Sequence, residues 1–443
     1  MTQALVEQEE RLNPADLRTI WRILTPEERV EAFHLLARDD AEEFFLGLSA
    51  ADLASLMRAL PRNERRAWMR LLAPDDAADL VQEVPDDERE GLLSLLDDPT
   101  RKEVTALLAY KQDAAGGLMN PRYARLRPDM TVDEAIGYLR RQARTNLETL
   151  SYLYVIDDQQ RLLGVVSFRE LFASPPERTV REVMRTDLVT VRDDQDQEEV
   201  SKVLTQNDLV AIPVLDAEGH MKGIVTFDDI VDVVEQEATE DIQKLAGMEA
   251  LDEPYLDIAF SRMFRRRAGW LSALFLGEML TASAMAFFED EIAKAVVLAL
   301  FVPLIISSGG NSGSQASTLV VRAMSLGEVR LADWWRVVRR ELASGLALGS
   351  VLGVIGFLRI VIWQAVSPLY GEHYLLVALT VFMSLIGVVT FGTMAGSLLP
   401  FILRRLGFDP ASASAPFVAT LVDVTGLVIY FTVASVILAG ALL

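Results

Sequence analysis

Asp423 is the one charged residue in an apolar run of the C-terminal half, Ala419-Thr-Leu-Val-Asp-Val-Thr-Gly426. A carboxylate at the centre of a membrane helix costs about 2.5–3.5 kcal/mol on insertion scales, so by default it marks an ion pathway. The plain alternative is a protonated Asp bonded to a neighbouring helix. A second pattern, Pro303-Leu-Ile-Ile-Ser-Ser-Gly-Gly-Asn-Ser-Gly-Ser-Gln315, places Gly309, Gly310, Asn311, Gly313 and Gln315 in another apolar run. These poor helix formers predict an interruption, which membranes tolerate only in a protein interior or beside a wet cavity. A packing seam would explain the glycines, but Asn311 and Gln315 exceed what packing needs. Glu278 is a further intramembrane carboxylate, near Thr281 and Ser283.

The third pattern is acidic. Asp229, Asp232, Glu235, Glu237, Glu240 and Asp241 crowd one helical stretch. Like charges three and four residues apart destabilise a helix by roughly 0.2–0.5 kcal/mol per pair. A bound cation would compensate; a solvated, salt-screened face is the bland reading. The ligand chemistry on offer is oxygen. The chain has no cysteine and three scattered histidines, His34, His220 and His373. That excludes disulfides and thiolate sites and argues against zinc enzymology. Oxygen donors suit hard cations such as magnesium or calcium. The apolar runs contain no Ser-His or Cys-His arrangement, so an intramembrane enzyme is disfavoured.

These residues sit in two unlike halves. Of the 443 residues, 261–443 hold 13 Lys+Arg and 10 Asp+Glu, about +3, whereas 1–260 hold 29 and 54, about −25. Such an acidic surface repels nucleic acid and attracts cations. Five apolar runs follow residue 268, near 268–288, 292–321, 342–366, 374–403 and 412–443, each long enough to cross about 30 Å of hydrocarbon. Basic segments (Arg265 to Arg267; Arg322, Arg330, Arg336, Arg339 and Arg340; Arg404 and Arg405) alternate with segments that carry an acidic excess or no Lys or Arg. The alternation predicts a multi-pass cell-membrane protein with its N-terminus cytoplasmic and its C-terminus outside. The polar N-terminus lacks signal-peptide character. Leu331 to Arg340, with Trp334 and Trp335, reads as an amphipathic helix in the interface.

Residues 12 to about 112 repeat a Pro-acidic signature followed by a leucine stripe: Thr25-Pro-Glu-Glu, Leu60-Pro-Arg-Asn-Glu, Ala73-Pro-Asp-Asp and Val84-Pro-Asp-Asp. Proline at a first helical position with carboxylates in the first turn predicts a stack of short helices. Residues 117–235 contain an internal repeat. Tyr154-Val-Ile-Asp matches Pro213-Val-Leu-Asp at an offset of 59, and Leu118-Met119 matches Val183-Met184 at 65. Each copy reads strand, helix, strand, Asp turn, strand with Gly164 or Gly223, then helix. Ser167 and Thr226 stand where they can cap that helix.

This repeat resembles a tandem of CBS domains. That resemblance implies regulation and possession of an adenine-nucleotide site, with a Ser/Thr and a following acidic residue on the ribose: Thr226 with Asp229, and Ser167 with Glu170, where Glu departs from the usual Asp. Capping is the competing role of both hydroxyls.

The order of parts, with the strings PLIISSGGNSGSQAS, ATLVDVTG, GGLMNP and EATEDIQKL, resembles the MgtE family of magnesium channels. The resemblance implies a multi-domain α+β chain. Its parts are an all-α superhelical N-domain (1–115), CBS domains (116–178 and 179–236), a long connecting plug helix (237–264) and a five-helix transmembrane domain (265–443). It further implies a homodimer in the cell inner membrane, with the second and fifth spans lining a pore on the dimer axis. Asp423 matches the pore carboxylate, with Gly309, Gly310, Asn311 and Gln315 beside it. Mg2+ bound among the acidic domains closes the pore. Its matched ligands are Asp229, Asp232, Glu237, Glu240 and Asp241, with Asp196, Glu198 and Asp208, and more loosely Glu43, Asp75 and Asp79. The expected partners are Mg2+, membrane lipid, ATP at the CBS pair and a second copy, with no nucleic acid. The alternative is a CBS-regulated transporter of another divalent cation or solute.

Overall fold

A computed structural model describes residues 13–142, 147–251, 255, 258–367 and 370–441. The polar N-terminal segment 1–12, positions 368 and 369 of the third loop, and the last two residues of the fifth run lie outside the described residues. The chain divides into two compact units, 1–236 and 237–443.

The first unit opens with eight short helices, α1 (Pro14–Ile20), α2 (Pro26–His34), α3 (Arg38–Leu46), α4 (Ala50–Ala59), α5 (Arg62–Met69), α6 (Pro74–Gln82), α7 (Asp86–Leu93) and α8 (Asp98–Leu107). Their starts follow local chemistry. Thr25 and Glu28 form a reciprocal capping box at α2, and Ser49 caps α4. Pro26 and Pro74 occupy first helical positions as expected, but Pro61 and Pro85 sit one place earlier, at the N-caps of α5 and α7. Each helix is too short to persist alone. What holds them is a shared core of Leu17, Trp21, Phe33, Phe44, Phe45, Met57, Trp68 and Leu80. It runs on through Val104 to Val200, Ile212 and Val225 of the second repeat copy.

After α9 (Ala115–Leu118), the repeat folds as β1 (Arg125–Leu126), α10 (Val132–Gln142), β2 (Tyr152–Ile156), β3 (Leu162–Ser167) and α11 (Phe168–Ala173). The second copy is α12 (Val180–Val183), β4 (Val191–Arg192), α13 (Gln197–Gln206), β5 (Ala211–Leu215), β6 (Met221–Thr226) and α14 (Phe227–Leu245). Both sheets have one parallel and one antiparallel pairing, in the orders β1-β2-β3 and β4-β5-β6. The register pairs Val155 with Gly164 and Val214 with Gly223. The glycines have a steric reason. A Cβ on Gly164 would meet Met184 Sδ at 2.6 Å, and one on Gly223 would meet the Asn120 carbonyl at 2.8 Å. The Leu118-Met119 and Val183-Met184 segments thus exchange between copies: Asn120 bridges to Ile224 and Arg185 to Val165.

Among its described residues, the second unit holds five helices long and apolar enough to cross a membrane. They are α15 (Phe260–Phe287), α17 (Val302–Ser325), α18 (Trp334–Val366), α19 (Tyr374–Arg405) and α20 (Ala415–Ile437), with the short α16 (Glu289–Lys294) after the first. Three expectations need correcting. The Gly309–Gln315 stretch does not interrupt its span: α17 is continuous. Its glycines replace side-chain packing by backbone contact, since a Cβ on Gly392 or Gly396 of α19 would run into the carbonyl of Gly309 or Gly313. Leu331 to Arg340 is no separate interfacial helix, because from Trp334 it is the start of α18. Of the connecting helix expected over 237–264, residues 237–245 are the end of α14, which begins at Phe227, and 260–264 are the start of α15, while 252–254 and 256–257 lie outside the described residues. Gly247 follows with φ 74°, a left-handed conformation suited to a helix terminus.

Candidate functional site

Within the first unit, the N-terminus of α6 and the start of α14 bring carboxylates together. Asp75, Asp76 and Asp79 come from α6, Asp228, Asp229 and Asp232 from α14, and Glu148 from the segment before β2. The sequence placed Asp75, Asp79, Asp229 and Asp232 among the candidates. It missed Asp76 and Asp228, whose adjacency in the Asp-Asp pairs was a usable signal. Glu148 had none, being recruited by tertiary structure. Asn120 bridges two members, donating from Nδ2 to Asp75 Oδ1 at 3.1 Å and to Glu148 Oε2 at 2.6 Å.

The cluster is under electrostatic stress. Asp75 is buried, and burial first, then Asp76, Asp229 and Glu148, hold its carboxyl well above the ordinary range. Burial with Asp76, Asp229 and Glu83 pushes Asp79 up to about 7. Burial with Asp229, Asp228 and Asp76 pushes Glu148 to about 7. Asp229 rises to about 6, chiefly through burial, against the lowering effect of its bonds from Thr226. Asp76 and Asp232 are raised by burial as well. Nothing in this set supplies a positive charge.

The remaining candidates lie elsewhere. Glu43 is an exposed residue of α3 and is not among the groups acting on these carboxyls. Asp196 caps α13 by accepting from Glu198 N, and Glu198 pairs with Lys202 at 2.8 Å. Asp208 follows the other end of α13 with φ 50°, about 15 Å away along a ten-residue helix. These three do not join one site. Ser167 and Glu170 form a capping box, and Glu170 also binds Arg185. Thr226 is buried, and its Oγ1 donates to Asp229 Oδ2 at 2.6 Å. The Ser167 hydroxyl therefore caps its helix, and the Thr226 hydroxyl is held by the Asp229 carboxylate, which also accepts from Thr226 N.

Among the described residues, three donor atoms converge closely only at Asp216, Glu218 and His220. Asp216 there already binds His220 Nδ1 at 3.0 Å and Lys222 Nζ at 3.1 Å, so this is a stapled turn. The α6–α14 carboxyls are spread more widely. That fits a hydrated divalent ion held through its waters, since magnesium dehydrates reluctantly.

In the second unit, Glu240 pairs with Lys244, which also binds Asp409 at 2.6 Å. Burial alone would lower the ammonium's pKa, but these two carboxylates outweigh it and raise it. Asp241 accepts from Ser325 Oγ at 3.2 Å, and Glu237 is half-buried. Part of the acidic crowding in α14 is thus met by protein partners that sequence reasoning did not identify.

Among the spans, Asp423 is half-buried on α20, with its carboxyl in hydrogen-bond reach of Glu278 on α15. Glu278 therefore faces Asp423, rather than only its own Thr281 and Ser283. Gly309 and Gly310 are buried in the seam: a Cβ on Gly309 would meet Val422 Cγ1 at 2.7 Å, one residue from Asp423. Asn311 and Gln315 are exposed on the single chain, and Asn311 Nδ2 donates to Ser307 Oγ at 3.4 Å. The five candidates thus divide into packing glycines, exposed amides and one carboxyl.

Three family models match the chain. "Divalent cation transporter" (MgtE) covers 302–433, "MgtE intracellular N domain" covers 12–113, and "CBS domain" covers 115–176 and 180–236. The chain is similar to the magnesium transporter MgtE of Thermus thermophilus, 42% identical over 440 residues, 99% of this chain and 96% of that protein. It is also similar to the magnesium transporter MgtE of Bacillus subtilis, 36% identical over 343 residues, 77% of this chain and 74% of that one. Among solved structures, the cytosolic domain of the Mg2+ channel MgtE in complex with ATP is 42% identical, covering 53% of this chain and 95% of that one at a TM-score of 0.48.

Proposed function

Because the chain belongs to the MgtE family of divalent-cation transporters, we propose that it carries magnesium across the membrane its five helices span. The relatives it matches along most of its length are magnesium transporters, whereas inosine-5'-monophosphate dehydrogenases match only a short stretch, 24% of the chain in one case. In this reading it is a magnesium-selective channel built as a homodimer. Helices α17 and α20 line the pore, the N-terminus is cytoplasmic and the C-terminus outside. The observation that carries the pore assignment is Asp423, a carboxyl among apolar spans and one residue from the α17 seam. Two copies of Asp423, with exposed amides such as Asn311 and Gln315, suit outer-sphere contact with a hydrated ion.

Gating follows from the acidic unit. Carboxyls pushed far above their ordinary range repel when ionised, and a divalent cation among them removes the repulsion. Mg2+ therefore favours whichever arrangement keeps them together. It shifts the open–closed balance only by its differential affinity for the two arrangements. The proposed sensor comprises Asp75, Asp79, Asp229 and Asp232, now joined by Asp76, Asp228 and Glu148. ATP is proposed at the second CBS copy, where its ribose would take over the Thr226–Asp229 hydrogen bond.

The test is magnesium uptake into proteoliposomes by the intact chain and by Asp423→Asn, with magnesium on the side of the acidic unit varied. Uptake that needs Asp423 and shuts off as that magnesium rises is the expected result. Normal conduction by the variant would remove Asp423 from the pore. A conducting protein indifferent to magnesium on that side would remove the gate.

A further inference from the structure

One end of the span bundle carries an unusual concentration of arginine and tryptophan. Arg330 precedes α18, Arg336, Arg339 and Arg340 lie in its first two turns, and Arg404 and Arg405 end α19. All six are exposed, and acidic groups nearby in sequence are fewer: Glu328, Asp333, Glu341 and Asp409, the last bound by Lys244. Arg336 pairs with Asp333 at 3.1 Å, Arg330 also acts on Asp333 and Arg340 on Glu341. Trp334 and Trp335 are 49% and 55% exposed, with ring centroids 5.5 Å apart.

The packing shows that these residues share one surface. Glycines of α18 press on α19 in a regular antiparallel register: Gly345 on Thr390, Gly349 on Ile386, Gly353 on Phe382. Extended by whole turns to the start of α18, that register sets Trp334 level with Phe401, so that Arg330 just before α18 and Arg405 just after Phe401 lie at the same end. An observed contact agrees, because Val337 packs against the small core of Val320, Met324 and Phe401. The arginines of the two helices therefore border a common patch, with exposed Leu331, Leu406 and Phe408 among them.

Basic loops are expected on one side of a membrane whatever they bind. This patch has more than sign. It offers planar guanidinium forks suited to phosphate, tryptophans of the kind that settle at headgroup depth, and apolar side chains for the adjoining acyl region. We propose that the α18–α19 end is a binding surface for phospholipids with a net negative headgroup, with the phosphodiester on Arg339, Arg340, Arg404 and Arg405 and the glycerol and upper acyl region against Trp334 and Trp335. The surface rests on the reading of these helices as membrane spans. It does not depend on which ion is carried.

The experiment uses the full chain in bilayers without added divalent cation. Quenching of tryptophan fluorescence is compared for brominated phosphatidylglycerol and brominated phosphatidylcholine. The expected result is stronger quenching by phosphatidylglycerol, lost in Trp334→Phe/Trp335→Phe. At about 1 kcal/mol for each arginine near the surface, either Arg339→Gln/Arg340→Gln or Arg404→Gln/Arg405→Gln should weaken the preference about 30-fold. The two pairs are tested separately so that one poorly folding variant leaves the other decisive. Equal quenching by both lipids in the wild-type chain overturns the proposal and means that protein covers the patch. So does a preference that survives both arginine pairs. If inorganic phosphate abolishes the preference, the site takes free phosphate and the lipid assignment fails. Magnesium uptake is read separately, so its loss bears only on the transport proposal.

Discussion

Replacing Asp79 by Asn should make α6 more stable at neutral pH, although it removes a candidate magnesium ligand. Asp79 stands at about 7 against an ordinary 3.8, through burial and then Asp76, Asp229 and Glu83. At about 1.4 kcal/mol per tenfold, that difference corresponds to roughly 4 kcal/mol unfavourable to the folded, ionised form. Asp79 is only half-buried by exposure, and solvent screening brings a realistic figure to about 2 kcal/mol. The sign follows from linkage. The folded state holds the proton more tightly, so stability is fully present below about pH 4 and is lost as pH rises through about 7. Asn keeps the shape and has no charge to lose. Hydrogen exchange of the α6 amides in the intact chain measures this, comparing variant with wild type at each pH. At about pH 8 without magnesium, Asp79→Asn should exchange about 30-fold more slowly, with the difference vanishing near pH 4. Millimolar magnesium should protect the wild type more than the variant. A variant less protected than wild type at pH 8, or a difference independent of pH, refutes the account of the cluster as electrostatic stress awaiting a cation.

Gly396→Ala pushes a methyl into the Gly313 carbonyl, which as backbone has little room to yield. It should destabilise the detergent-solubilised chain by about 1–3 kcal/mol in thermal unfolding, whereas Gly269→Ala, with nothing within 4 Å, should be tolerated. Lys244→Met strands Glu240 and Asp409 without their shared cation and should cost about 1–3 kcal/mol; Asp409→Asn in that background should recover part of the loss. Thr226→Val removes the bond to Asp229. It should cost about 1 kcal/mol and weaken ATP binding measured by calorimetry, and unchanged ATP affinity would take Thr226 out of the nucleotide site.

Much of this protein was legible in its residues. Five apolar runs predicted five spans, because hydrocarbon demands a fixed length of apolar helix. The two-copy repeat predicted two like sheets, because strand alternation and the Asp turn recur with it: Asp157 and Asp216 accept backbone bonds in equivalent turns. Thr25 and Ser167 announced helix starts through local capping chemistry that needs no distant partner. The errors came where local preference met tertiary packing. Gly309 and Gly313 are poor helix formers alone, yet they lie within a continuous helix because α19 needs their missing side chains. Glu148 joins Asp75 and Asp229 from a distant segment, and Glu278 meets Asp423 from another helix. Lys244 finds Asp409 across 165 residues of chain. Sequence determined most segments of helix, strand and span, since those depend on neighbours along the chain, while packing decided the continuity of α17 and the bounds of α14 and α18. Only the tertiary structure decided which carboxyls crowd together and which are neutralised, because charge acts through space and not along the sequence.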